Sequence, residues 1–121
     1  MSTRSKIGIL NPEDGTVFGI YCHFDGYPSG VGAVLKEHYK SEHKVRELMW
    51  LGDLSSLGYE IGGEPNLHPR REVCRAYGRD MGKTGTEARA FANLQAFLEE
   101  NLGQEYTYLF RNGKWEQDPH Q

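Results

Sequence analysis

Val17-Phe18-Gly19-Ile20-Tyr21-Cys22-His23-Phe24-Asp25-Gly26-Tyr27-Pro28-Ser29-Gly30-Val31-Gly32 reads as an apolar strand that turns into a helix through one tight corner. Phe18, Ile20, Cys22 and Phe24 alternate with Val17, Gly19, Tyr21 and His23, which is the period of a strand with two distinct faces. The first set is apolar and is expected to face a core. The second ends in two amphipathic side chains, Tyr21 and His23. Asp25-Gly26 is turn chemistry, and Pro28 biases Tyr27 toward extended backbone. Ser29 is expected to cap a helix that starts near Gly30 or Val31 and runs to about Tyr39. Its buried stripe would be Val31, Val34, Leu35 and His38.

Working outward, Lys6 to Leu10 and the strand from Thr16 flank the turn Asn11-Pro12-Glu13-Asp14-Gly15, which predicts an antiparallel hairpin. Ser41 is placed to cap a second helix with Val45, Leu48 and Met49 inward, closed by Gly52. Asp53 to Gly58 reads as a tight turn. Residues 58–71, with Gly62-Gly63, Pro65 and Pro69, read as an irregular loop long enough to have a role. Glu72 to Gly78 reads as a strand. Thr84 and Glu87 form a capping-box pattern that predicts a helix over 85–102. Tyr106 to Phe110, Asn112-Gly113 and Lys114-Trp115-Glu116 predict a closing hairpin.

The expected fold is therefore α+β: an antiparallel sheet in the order β-β-α-α-β-α-β-β with helices packed on one face. One domain spans 1–116, and 117–121 is expected to be a polar, frayed tail. The other sheet face would carry Tyr21, His23, Arg75 and Tyr77 and would be polar and aromatic, with no second core. An open sheet leaves strand edges through which two copies can pair as a homodimer.

Composition narrows the function classes. The 121 residues carry a net charge of −3, with 37% hydrophobic and 26% charged residues. That balance argues against general nucleic-acid binding, which needs a basic excess. No apolar run approaches the ~18 residues of a membrane span, so no membrane association and a cytoplasmic location are expected. Cys22 and Cys74 are the two cysteines and form no Cys-x-x-Cys motif.

Candidate binding residues cluster in two places. At the corner, Asp25, Tyr27, Gly30 and Gly32 surround an expected helix N-terminus, where free N–H groups favour an anion. On the sheet, Tyr21 and His23 would share a face with Arg75, Tyr77 and Arg79. There arginine beside an exposed tyrosine suits phosphate, carboxylate or stacking partners. His23 and Asp25 also allow acid–base chemistry. No third residue completes a metal set, no nucleophile motif is present, and no cofactor is expected.

Four segments bear a resemblance: Tyr21-Cys22-His23-Phe24-Asp25-Gly26-Tyr27-Pro28, Gly52-Asp53-Leu54-Ser55-Ser56-Leu57-Gly58, Ala76-Tyr77-Gly78-Arg79-Asp80 and Asn112-Gly113-Lys114-Trp115. Together they resemble a group of small bacteriophage and prophage proteins. The resemblance brings no site residue with it. It implies an accessory protein acting in the host cytoplasm by binding a host protein, such as an antiviral defence factor, in the manner of an anti-CRISPR inhibitor. A nucleotide or cyclic-nucleotide binder is the second reading. A small hydrolase or nuclease using His23 and Asp25 is the third.

Overall fold

Strands β1 (Ser5–Leu10) and β2 (Val17–Cys22) form the expected antiparallel hairpin, with Ser5 opposite Cys22 and Leu10 opposite Val17. The computed structural model describes residues 2–63, 65 and 72–119. After the corner come α1 (Ala33–His38), α2 (Glu42–Leu51) and a short strand β3 (Leu54–Ser56). Then follow β4 (Arg75–Ala76), α3 (Tyr77–Met81), β5 (Arg89–Phe91), α4 (Leu94–Glu99), β6 (Tyr106–Arg111) and β7 (Lys114–Gln117).

These strands make one α+β sheet in the order β4-β3-β2-β1-β6-β7, with β5 also paired to β2. The sheet is mixed and not antiparallel as expected: β1 runs parallel to β6, and β2 runs parallel to β3. No local signal encodes the β1–β6 pairing, which joins segments about a hundred residues apart.

Helices cover both faces of the sheet, which corrects the one-face expectation. On one face, Ile7, Ile9, Ile20, Cys22, Tyr108 and Phe110 pack with Val31 and Leu35, and with Val45, Leu48 and Met49 of α2. On the other, Val17 and Leu109 pack with Phe97 of α4. The α4 face exists because Gly8 and Gly19, cross-strand neighbours in β1 and β2, leave a hollow for the Phe97 ring. A Cβ at Gly8 would lie 2.6 Å from that ring, and one at Gly19 2.7 Å.

Lys6 completes this contact. Its side chain is fully buried, and its ammonium donates to the Phe97 carbonyl and, at 2.8 Å, to the Glu100 carbonyl. A cation at a helix C-terminus satisfies carbonyls that have no partner within the helix. Burial lowers the Lys6 pKa, and the nearby Glu100 carboxylate opposes that shift.

Local signals were obeyed where no distant group competed. Ser41 accepts from the Lys44 N–H at 3.2 Å and caps α2, and Asn112-Gly113 makes the two-residue β6–β7 turn with both residues at positive φ. The predicted helix over 85–102 does not form as drawn. Residues 85–88 are irregular, Arg89–Phe91 is β5, and α4 is capped by Asn93, which accepts from the Ala96 N–H at 2.8 Å. Asp53 explains the change. It binds the Arg89 guanidinium in two bonds of 2.9 and 3.0 Å, accepts from the Tyr21 N–H at 2.9 Å, and donates its own N–H to the Thr86 carbonyl at 2.7 Å. These bonds hold Thr86 beside Asp53 and Arg89 in β5, opposite Gly19 of β2.

Residues 72–78 are likewise mostly not strand, since Tyr77 opens α3. Gln117, expected to begin a free tail, ends β7, and the Asp118 N–H donates to the Thr107 carbonyl at 2.6 Å. Among the described residues, no helix is long and apolar enough to cross a membrane.

Phe97 and Gly8 can be tested as a pair. Gly8→Ala is expected to lower stability by about 1–3 kcal/mol through overpacking, and Phe97→Ala by about 3–5 kcal/mol. In urea titrations the double variant should lose clearly less than the sum, because the ring that the new methyl strikes is gone. Additive losses would show that the hollow and the ring are independent.

Candidate functional site

The corner begins where β2 leaves the sheet. The His23 N–H donates to the Leu54 carbonyl and the Phe24 N–H to the Ser55 carbonyl, both at 3.0 Å. Asp25 then takes the left-handed conformation, at φ +59°, which short polar side chains tolerate better than most. The chain re-enters as a five-residue π-turn, Pro28–Gly32, running directly into α1.

The expected anion site is not formed there. The Val31 N–H donates to the Asp25 carbonyl at 2.7 Å and the Gly30 N–H to the Tyr27 carbonyl at 2.9 Å, so these donors are used within the corner. Ser29 provides no cap. Gly30 and Gly32 serve close packing instead. A Cβ on Gly30 would meet the Tyr27 ring at 2.8 Å, and one on Gly32 would meet the Tyr108 ring at 3.1 Å.

What the corner does form is a cavity of about 370 Å³ between the π-turn and the segment after β3. Phe24, Tyr27 and Tyr59 line it as exposed aromatics, over an apolar floor that includes Val34 and Leu57. The Asp25 carboxylate accepts from the Tyr27 hydroxyl at 3.1 Å and forms no ion pair with a described lysine or arginine. His38 stacks on Tyr59 at 4.3 Å between ring centroids, which steadies one wall.

A polar patch adjoins this cavity. The Tyr21 hydroxyl and His23 Nδ1 share a hydrogen bond of 2.7 Å, and the His23 ring meets Phe24 edge-on at 4.6 Å. Burial raises the Tyr21 pKa, and the Arg4 guanidinium beside it pulls the other way. Tyr77 stands close by. Burial raises its pKa, while a hydrogen bond with Ser55 lowers it. The expected side-by-side strands are in fact separated by β3; Tyr21 and His23 are bonded to each other, and Tyr77 is near enough to Tyr21 to act on its charge.

Arg75 and Arg79 have other surroundings. Arg75 is half-buried in β4, with its Nε buried and unbonded. Arg79 is two residues from Tyr77 on α3, so it points about 200° away around the helix axis. It donates to the Ile61, Gly62 and Cys74 carbonyls at 2.7–2.9 Å and pairs with Asp80 at 2.9 Å. Arg79 is thus a tie for the 61–62 segment, and Arg70 and Arg71 lie outside the described residues.

Phe24 was expected in the core and stands exposed, because alternation ends with the strand at Cys22. Tyr59 and Arg4 carry no local signal for their place here. His23 and Asp25 share no bond: His23 bonds with the Tyr21 hydroxyl and Asp25 with the Tyr27 hydroxyl. Burial pushes the Cys22 thiol up to about 12, so it stays protonated and unreactive at neutral pH. Among the described residues, no three acidic, histidine or cysteine side chains could hold a metal ion. The chain matches no family model, no curated protein and no solved structure.

Arg79→Ala is expected to cost about 3 kcal/mol, since it takes the guanidinium away from the buried Asp80 carboxylate and from three carbonyls. The loss should appear as a lower denaturation midpoint. A variant of wild-type stability would mean that Arg79 is held for another purpose. Native protein should also show neither thiol to a disulfide reagent at mildly alkaline pH, with both appearing on unfolding.

Proposed function

We propose that this chain is a non-catalytic binding protein that holds a partner protein at the corner cavity. The observation that carries this is three exposed aromatic rings gathered around one concave site with a carboxylate at its rim. Aromatics are favoured anchors in protein interfaces because they offer large area with little rotamer freedom to lose. The Asp25 carboxylate beside Tyr27 suits a cation, so the partner segment would present an arginine or lysine, held by charge and by the ring faces. Tyr21, His23 and Tyr77 would extend the contact along the sheet.

The phage resemblance sets the biological frame of the same reading: a counter-defence accessory protein that sequesters or blocks a host component in the host cytoplasm. That frame rests on the four resembling segments alone.

A nucleotide ligand is the second reading, favoured by the cavity's volume and aromatic lining. A volume of about 370 Å³ falls within the ordinary range of small-molecule sites, and Tyr27, Phe24 or Tyr59 offers a face for a base. Against it, the π-turn donors that would take a phosphate already bond to carbonyls.

Affinity capture from bacterial host lysate with wild type, Tyr27→Ala and Asp25→Asn separates these readings. A specific protein partner should be retained by wild type and lost by both variants at unchanged melting temperature. A nucleotide panel should leave that temperature unmoved. A rise of several degrees with one nucleotide, abolished by Tyr27→Ala, would replace the first reading with the second.

A further inference from the structure

Trp50 is the most exposed large apolar side chain of the described residues, at 91%. It sits at the end of α2, next to the buried Met49. An exposed tryptophan gains nothing for the fold, and the other tryptophan, Trp115, is half-buried and donates its indole N–H to the Tyr39 carbonyl at 2.8 Å. Beside Trp50 lies a groove of about 290 Å³, with Ile9, Phe18 and Ala88 in its walls. Phe18 is also exposed, although alternation had assigned it to the core. The groove and the corner cavity share no lining residue.

Arg46 and Glu87 also line this groove. Arg46 reaches Glu42 at 3.4 Å, an exposed pair of the kind that contributes little. Glu87 makes no ion pair with a described residue. One surface thus carries a projecting indole, an apolar hollow next to it, one cation and one anion.

We infer that this face is a self-association surface, on which two copies of the chain meet about a two-fold axis. Such an axis applies the same patch to itself, so each surface must be complementary to its own rotated copy. Here each Trp50 enters the hollow of the other copy, and Arg46 of each faces Glu87 of the other. A foreign protein would have to reproduce a knob, a hollow and both charges in reversed order. A second copy supplies them by symmetry.

The area limits the strength of the pair. Two indoles bury about 300–500 Å² together, against roughly 1,200 Å² for a small specific interface. Phe18, Arg46, Glu87 and their surroundings must supply the remainder, which makes the dimer weak and concentration-dependent. The surface differs from the strand edges that the open sheet offered.

Sedimentation of the full chain over a wide concentration range tests this. Wild type should pass from monomer to dimer as concentration rises, and acrylamide quenching of tryptophan fluorescence should fall in step. Trp50→Ala should weaken association at least about tenfold, the size expected of an interface anchor, with no loss of melting temperature. Arg46→Glu and Glu87→Arg should each weaken it, and the double charge swap should restore it. A wild type that stays monomeric throughout overturns the inference. So does a dimer indifferent to Trp50→Ala, or one that the charge swap fails to rescue. Loss of a captured foreign protein by Trp50→Ala, with wild type monomeric, would assign the face to a different partner.

Discussion

Helix α4 can lie on the sheet only where no side chain rises to meet it, and Gly8 opposite Gly19 is where that happens. The Phe97 ring fills the space two Cβ atoms would occupy, with the Lys6 ammonium 4.5 Å from its centroid and bonded to the helix end. Interiors are packed to the density of organic crystals, so a ring and a hollow matched this closely leave little room for sliding. The contact sets where β1 and β2 sit under α4, and so which face is left to α1 and α2. A buried lysine is a costly way to hold a helix unless its charge is met. Here two carbonyls, the nearby Glu100 carboxylate and the ring face meet it.

Asp53, just before β3, plays the matching part on the other side of β2. One carboxylate joins Arg89 and the Tyr21 backbone, and its own main chain joins Thr86 and Tyr77. It therefore holds β5, the start of α3 and the end of β2 at one point. The candidate site grows from that end of β2. His23 and Phe24 continue along β3 through their N–H groups, which fixes where the corner turns and so where Phe24, Tyr27 and Asp25 meet Tyr59.

The features legible in the sequence were those set by neighbours within a few residues. Ser41 with Lys44, Gly52 at positive φ and Asn112-Gly113 all act locally, and each is found as read. The inward set Val45, Leu48 and Met49 followed from helical spacing and is buried. What escaped was set at a distance. Thr84 and Glu87 spell a capping box, but the Asp53–Arg89 pair, 36 residues apart in the chain, outweighs it. The parallel β1–β6 pairing has no local mark at all. At the site, Asp25, Tyr27 and Gly30 were found together as lining residues, while Gly32 and Arg79 turned out to be held within the fold. Alternation misplaced Phe24, which lies beyond the strand's end at Cys22, and Phe18, which lies within it. The pattern tells which face a side chain takes, and cannot tell whether that face is still covered at the sheet's margin.

Those two phenylalanines lie near opposite ends of one extended run. Phe18 opens on the Trp50 groove from within β2, and Phe24 opens on the corner cavity two residues beyond its end. The run between them is pinned on both sides, by β1 along its length and by β5 and β3 at successive positions. The two surfaces share no lining residue. A pair formed through Trp50 would keep both corner cavities open. It would present two equivalent sites on one particle, so a target with repeated segments would be held by the second contact at high effective concentration. Weak association and a modest cavity can then combine into firm capture without any single strong contact.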